Sequence, residues 1–163
     1  MSWRPAENFL IAQKITDTSD VQTMPLGTII RGVHPTYGAG EFIYLAGAAS
    51  TAVGTWVTYN ADDWSTTRLA ANAIGPVAVA MSASVANNWG WYQISGKAVG
   101  AVLTGFVDNA NVYATATAGS VDDAIVAGDR VKGAVGASAI GTPSAGLAEF
   151  EIARPLMDDG LAA

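Results

Sequence analysis

Hydrophobic and polar residues alternate over short stretches along most of the chain, and glycine, asparagine or proline separates one stretch from the next. The clearest alternation lies near the end, where Ala148, Phe150 and Ile152 fall on one face of a strand and Glu149 and Glu151 on the other. A register shift of one residue would bury both glutamates, which is costly, so the pattern fixes the register of this strand. We therefore expect the three apolar side chains to point into a core.

The pattern as a whole predicts an all-β protein of about ten short strands. Segment 76–81 is almost continuously apolar, which is typical of a strand buried on both faces. Since no long stretch has the 3.6-residue period of an amphipathic helix, we predict a barrel or a jelly-roll-like sandwich. The predicted strands are residues 28–33, 41–45, 55–59, 64–69, 76–81, 91–95, 97–103, 111–117, 130–135 and 147–153.

The first 25 residues have a different pattern from the rest of the chain. Their apolar side chains are spread among polar ones without a sustained period of 2 or 3.6 residues. We interpret residues 1–25 as an extended N-terminal arm, residues 26–154 as the barrel or sandwich body, and residues 155–163 as a C-terminal tail. The alternative is that the first segment contributes a strand to its own barrel.

A short internal similarity joins residues 53–57 (VGTWV) to residues 127–131 (AGDRV). A glycine-led apolar strand follows each of them, at Gly75 and at Gly146. The similarity indicates either two related β-halves or chance matching in a chain rich in glycine and valine.

The chain carries few charges. Only 13% of its residues are charged, where a typical globular domain has about a quarter. This low fraction suggests that part of the surface faces a partner instead of water. The alternative explanation is a compact surface rich in alanine and glycine. The net charge of −6 and the scattered Lys and Arg residues disfavour direct binding of nucleic acid, which needs a basic stripe. No apolar run approaches the roughly 18 residues of a membrane span, so we expect no membrane partner.

Residues that usually carry catalysis are scarce. The chain has no cysteine and one histidine, His34, which precedes Pro35 in a predicted loop and is expected to face solvent. A serine triad needs a histidine base beside a serine and a carboxylate, and a zinc site needs several His or Cys ligands. We therefore expect neither an enzyme nor a bound metal or cofactor. Adjacent aspartates occur at 62–63, 122–123 and 158–159, for which we favour solvated turns over a calcium site.

The aromatic residues allow two interpretations. Packing across neighbouring strands in the core is the favoured one. The alternative is an exposed platform for sugar rings around Trp89, Trp91 and Tyr92, which would belong to a carbohydrate- or receptor-binding module of a phage fibre or spike. The residues concerned are Trp56, Tyr59, Trp64, Trp89, Trp91 and Tyr92.

Several short motifs resemble those of small structural proteins of tailed-phage heads. They are IGPVAVAM at residues 74–81 and GWYQISGKA at residues 90–98, followed by VYATA at 112–116, AGDRV at 127–131 and GLAEF at 146–150. These motifs look like the capsid decoration, or cement, proteins, which sit on the outside of the icosahedral shell, commonly as trimers. The resemblance covers roughly residues 26–154 and carries no catalytic residues to transfer.

The resemblance implies a structural virion protein on the outer capsid surface, made in the host cytoplasm. It would form a homotrimer and stabilise the shell by bridging neighbouring copies of the major capsid protein. The N-terminal arm lies outside the resemblance, but an arm can add a strand to a partner's sheet or dock apolar anchors. We expect Trp3, Phe9 and Leu10 to be such anchors and Arg4 to make a polar contact.

Overall fold

The computed structural model describes residues 3–5 and 12–158 of the chain. Within these residues the chain forms twelve strands and no helix, and all strand pairings are antiparallel. The predicted all-β class is confirmed, as a strongly curled antiparallel sheet. The strands are β1 (Arg4–Pro5), β2 (Thr18–Ser19), β3 (Ile29–His34), β4 (Gly38–Ala46), β5 (Trp56–Tyr59), β6 (Thr66–Arg68), β7 (Val77–Ala80), β8 (Trp89–Ala101), β9 (Asn111–Ala114), β10 (Val121–Asp122), β11 (Arg130–Gly136) and β12 (Leu147–Met157).

Strand β8 connects the two parts of the sheet. Residues 89–95 of β8 pair with β4, and residues 95–101 pair with β12. The main path through the sheet is β1-β3-β4-β8-β12-β11-β9-β10, and β7, β5 and β6 branch from β8. The sequence pattern divides this segment into two strands at Gly96, whereas the structure has one continuous strand of 13 residues.

A bend at Gly96 allows β8 to serve both parts of the sheet. Gly96 has a φ of +96°, and a Cβ there would collide with the carbonyl oxygen of Ala39. The buried amide of Gln93 donates to the carbonyl oxygens of Ser95 and Lys97, at 3.1 Å each, on the two sides of the bend. Glycine therefore supplies the backbone conformation, and a buried glutamine satisfies carbonyl groups on either side of it.

The first core lies inside the curl of the sheet. Ala148, Phe150 and Ile152 of β12 are buried there, which confirms the predicted inward face of the last strand. The ring of Trp56 packs edge-to-face on Phe150, with ring centroids 4.9 Å apart. The buried members are Trp56, Leu69, Val77, Val79, Ala98, Val102, Phe106, Val112, Ala114, Val121, Val131, Ala134, Ala148, Phe150, Ile152 and Met157.

Strand β7 separates the first core from a second one. Val77 and Val79 belong to the first core, while Ala78 and Ala80 belong to the second. All four residues are buried, so the prediction that this apolar segment is covered on both faces is confirmed. The second core consists of Ile43, Leu45, Val57, Ala78, Ala80, Tyr92 and Ile94.

Strand β4 separates the second core from a third. Ile43 and Leu45 point into the second core, and Phe42 and Tyr44 point into the third, together with Trp91 and Ile30. The third core is completed by the chain before β3, since Ile15 is fully buried in it, and Trp3, Met24 and Leu26 pack against it. Part of the segment that we predict as an arm thus covers one face of the sheet.

Replacing Gly96 by alanine should strongly destabilise the protein. The backbone strain of a non-glycine residue in this region costs about 1–3 kcal/mol, and the collision with the carbonyl of Ala39 adds to it. Gly141→Ala is the matched control, because Gly141 has a similar φ of +101° and no atom near its Cβ position. Urea unfolding followed by circular dichroism should show the larger loss for Gly96→Ala. Equal losses would contradict the role of the close approach.

Candidate functional site

Trp3, the first predicted anchor residue, lies in a cluster of rings on its own chain. Its ring centroid is 4.9 Å from that of Phe42, in an edge-to-face arrangement, and 5.3 Å from that of His34. The ring of Tyr37 is 6.5 Å away. Trp3 is half-buried by these contacts. Its apolar surface is therefore already partly used within the chain.

His34 is built into the turn between β3 and β4. It is the last residue of β3, and it is half-buried, so the prediction of a solvent-facing loop histidine is wrong. Its Nδ1 accepts hydrogen bonds from the backbone N–H groups of Thr36 (3.1 Å) and Tyr37 (3.2 Å). Its ring stacks on that of Tyr37, with centroids 4.7 Å apart. Since Nδ1 is an acceptor, the neutral ring carries its proton on Nε2.

Tyr37 brings the tip of this turn close to charged groups of strands β8 and β12. The ammonium group of Lys97 lies 5.5 Å from its ring centroid, and the carboxylate of Glu149 is near enough to act on its hydroxyl. Lys97 and Glu149 form an ion pair at 2.7 Å. Burial and the charge of Glu149 raise the pKa of Tyr37 above its usual value, and the hydrogen bond to Glu149 raises the pKa of Lys97. The rings and charges form a continuous series of contacts from Trp3 to β12.

The buried side chain of Gln13 joins the N-terminal segment to β4 and β8. Its amide nitrogen donates to the carbonyl oxygens of Asp17 (2.8 Å) and Trp89 (2.9 Å). Its amide oxygen accepts from the hydroxyls of Tyr44 (2.7 Å) and Thr23 (2.9 Å). Four hydrogen bonds on one buried amide make this position a structural connection of the segment to the body.

The predicted arm residues are placed as follows. Trp3 lies in the ring cluster, and Arg4 is in β1, where it pairs with Val33 of β3. Phe9 and Leu10 lie outside the described residues. The contact of Trp3 with His34 and Tyr37 is not visible in the sequence, because no pattern marks a contact between an irregular segment and a turn 31 or more positions later. The sole signal was the Pro-Thr-Tyr-Gly turn that follows His34.

The aromatic residues of the body lie mainly in the cores. Trp56, Trp91 and Tyr92 are buried, which confirms the interpretation of these residues as core packing, and Trp89 is half-buried. The indole of Trp91 donates to the carbonyl oxygen of Gln13 at 3.1 Å. With Trp91 and Tyr92 covered, these rings do not form the exposed platform that a sugar-binding site requires.

Three of the paired aspartates, Asp63, Asp123 and Asp158, bond to protein groups of their own turn or of a neighbouring segment. Asp63 accepts from the backbone N–H and hydroxyl of Ser65, and these bonds hold the pKa of its carboxyl below the usual value. Asp123 accepts from the N–H of Val107 at 3.1 Å, and Asp158 pairs with Lys132 at 2.7 Å. Across residues 3–5 and 12–158, no three His, Asp or Glu side chains are grouped so as to hold a metal ion.

The surface of the described residues includes two open clefts of more than 500 Å³. One, of about 510 Å³, lies between the β5–β6 hairpin and residues 74–76, and its lining side chains carry no charge. The other, of about 600 Å³, lies over the irregular pairing of β11 with β12 and includes Arg130 and Glu151. Neither cleft contains a histidine or a pair of carboxylates. The part of the chain that is described has no helix with the length and apolarity to cross a membrane.

Exposed apolar side chains concentrate on loops. Ile125 is the extreme case, with 84% of its surface exposed, and its loop is linked to the loop of Val107 by the bond from Val107 to Asp123. Phe106, next to Val107, is buried in the first core and fixes that loop. Among the described residues, the exposed large hydrophobic side chains are Val21, Ile29, Val33, Val53, Ile74, Val85, Val107, Ile125, Val126 and Leu156.

No protein-family model, curated protein or solved structure matches this chain. The resemblance to capsid decoration proteins therefore stays a prediction.

Replacing Gln13 by alanine should lower the free energy of unfolding by about 2 kcal/mol or more, because four partner groups, one of them buried and three part-buried, lose a hydrogen bond. Gln22→Ala is the control, since Gln22 is exposed and its amide donates one local hydrogen bond, to Met24. Chemical unfolding of both variants measures the difference. A loss for Gln13→Ala as small as that for Gln22→Ala would contradict the structural role of this amide.

Glu149→Gln should reduce the loss of stability at alkaline pH. The folded state raises the pKa values of Tyr37 and Lys97, so it holds both protons more tightly than the unfolded chain. This contribution is complete below about pH 10 and is lost as the pH rises through the raised values. Removing the Glu149 charge weakens both shifts. Unfolding curves between neutral and alkaline pH should show a shallower decline for Glu149→Gln, and a smaller change for Glu151→Gln, which acts on Lys97 by charge alone.

Proposed function

We propose that this chain is a structural protein of a tailed-phage virion that binds the outside of the capsid and stabilises it by bridging major capsid subunits. It acts as a building block, without catalysis or a cofactor. It associates with itself, as a homotrimer, and with the major capsid protein. The resemblance of residues 26–154 suggests the family, and the exposed apolar loops support an assembly role.

The observation that carries the proposal is the set of apolar residues on the two linked loops. Val107, Ile125 and Val126 are 53%, 84% and 45% exposed, although the cores of the same body are closed. Single exposed hydrophobic residues are common on protein surfaces, but a group of them is typical of a surface that binds another protein. Asp123 and Phe106 hold the loops in place, so little conformational entropy is lost on docking.

The composition supports the same role. Only 13% of the residues are charged, and no Lys or Arg occurs between Lys97 and Arg130, the stretch that contains both loops. Apolar loops with aspartates around them suit a partner surface that combines apolar and basic groups. Many weak contacts of this kind, repeated over a lattice, hold firmly through multivalency.

The alternative of a carbohydrate-binding module has less support. It needs exposed rings, and Trp91 and Tyr92 are covered. The uncharged cleft at the β5–β6 hairpin has hydroxyl groups, but no observation links it to a sugar.

The test measures the mass of the protein in solution and its attachment to capsids. Native mass spectrometry at several concentrations should show a species of three times the 16.7 kDa monomer. Electron microscopy with capsids of the phage that encodes the chain should show added density on their outer surface.

Ile125→Ser should weaken attachment at least about tenfold, the effect of losing a well-packed anchor. Ile74→Ser, at a residue 68% exposed elsewhere, is the control. A monomer that leaves capsids bare would overturn the proposal.

A further inference from the structure

The outward face of β3 carries an arginine between two exposed apolar side chains. Ile29, Arg31 and Val33 alternate with buried residues of the strand, so all three point away from the third core. Ile29 and Val33 are 42% and 45% exposed. Within residues 3–5 and 12–158, the guanidinium group of Arg31 forms no ion pair. This face therefore combines apolar surface with a positive charge that the described part of the chain leaves uncompensated.

Arg31 lines a small surface pocket together with Glu41 and Ser95. Glu41 of β4 lies opposite Arg31 in the pairing with β3 and opposite Ser95 in the pairing with β8, so the three side chains form a row on one face. The pocket has a volume of about 130 Å³, whereas sites for drug-sized ligands have about 300–1,000 Å³. The hydroxyl of Ser95 is available as a donor, since Gln93 bonds to the backbone carbonyl of Ser95. The pocket therefore has room for one small polar group and offers it N–H and O–H donors.

Arg154 neutralises Glu41, the carboxylate in the lining of this pocket. Its Nε donates to Oε2 of Glu41 at 3.2 Å. In a regular strand, Arg154 would point to the opposite face from Ala153, which lies opposite Ser95. A left-handed φ of +43° and the irregular pairing of β11 with β12 around this residue turn its side chain towards β4. Such a backbone conformation is costly for a residue other than glycine and is typical of functional sites. Because Arg154 compensates Glu41, the charge of Arg31 stays available to a partner.

We propose that this face of β3, with its pocket, docks a protein segment that presents one carboxylate between apolar side chains. The carboxylate accepts hydrogen bonds from the guanidinium group of Arg31 and the hydroxyl of Ser95, and the apolar side chains pack on Ile29 and Val33. Guanidinium–carboxylate bonds are among the strong ones and are frequently bidentate. Two guanidinium groups and one carboxylate leave a single net positive charge, which suits a carboxylate better than a doubly charged phosphate. The surface shares no residue with the two apolar loops, and its occupation does not depend on the proposed capsid function.

The test is an NMR titration of the full chain with the peptide acetyl-Leu-Asp-Leu amide, and with acetyl-Leu-Asn-Leu amide as the control, at constant ionic strength. The aspartate peptide should shift the Nε–H resonance of Arg31 and the backbone amide resonance of Ser95 until both saturate. The asparagine peptide should bind at least about tenfold more weakly, because it lacks the charge-assisted hydrogen bond. Equal binding of the two peptides, or shifts that do not saturate, would overturn the proposal. This comparison uses the wild-type protein, so it decides the question even if a variant fails to fold.

Substitutions separate this pocket from a general attraction of anions to the surface. Arg31→Gln should lower the affinity for the aspartate peptide at least about tenfold. Arg130→Gln, at an exposed arginine that bonds to Asn111, is the control and should leave the affinity unchanged. Glu41→Gln should raise the affinity because it removes the competing carboxylate, and Arg154→Gln should lower it because Glu41 is then uncompensated. Equal losses for Arg31→Gln and Arg130→Gln, or a lower affinity for Glu41→Gln, would contradict the site. Displacement of the peptide by inorganic phosphate more readily than by acetate would refute the preference for a carboxylate.

Discussion

The continuity of β8 through the bend at Gly96 is the constraint on which the rest of the structure depends. One strand of 13 residues supplies Trp91 to the third core, Tyr92 and Ile94 to the second, and Ala98 to the first. A straight strand could not pair with β4 and then with β12 while the sheet curls between them. Glycine permits the change of direction, and Gln93 satisfies carbonyl groups on either side of it. The three cores are therefore packed on one shared strand, and a substitution that disrupts the bend should loosen the packing of all three.

The N-terminal segment depends on the body through two kinds of contact. At Gln13 and Ile15 it is bound by a buried amide and a buried aliphatic side chain, which only unfolding would release. At Trp3 it is bound by the rings of His34, Tyr37 and Phe42, and the next two residues, Arg4 and Pro5, pair with β3. Both described parts of the N-terminal segment are therefore packed on the body of their own chain.

The sequence was most informative where side chains repeat with the period of a strand. The alternation at β12 and the apolar run at β7 predict both the strands and their buried faces, because the register and burial of a strand follow from the order of apolar and polar residues within it. The boundary of the predicted arm at residue 25 depends on the lack of a regular hydrophobic period in residues 1–25. A hydrophobic period gives no information about the burial of a residue such as Gln13, which packs irregularly. Pro35 predicts a solvent-facing loop at His34, yet the ring of His34 packs on that of Trp3, and no local pattern encodes a contact over 31 positions. The ring cluster around Trp3, the most specific part of the candidate site, was therefore invisible in the sequence.

The internal similarity of residues 53–57 and 127–131 has a local explanation in turn geometry. Gly54 and Gly128 have φ values of +84° and +81°, and the next N–H of each donates to the carbonyl three residues earlier. This is the pattern of a type II turn, which places glycine or asparagine at its third position. In each case a strand begins two residues after the left-handed residue. The same arrangement recurs at Gly27 before β3, at Asn87 before β8 and at Gly119 before β10. Since five strands begin in this way, the repeated motif follows from how strands start in this chain, and it gives no reason to infer two related halves.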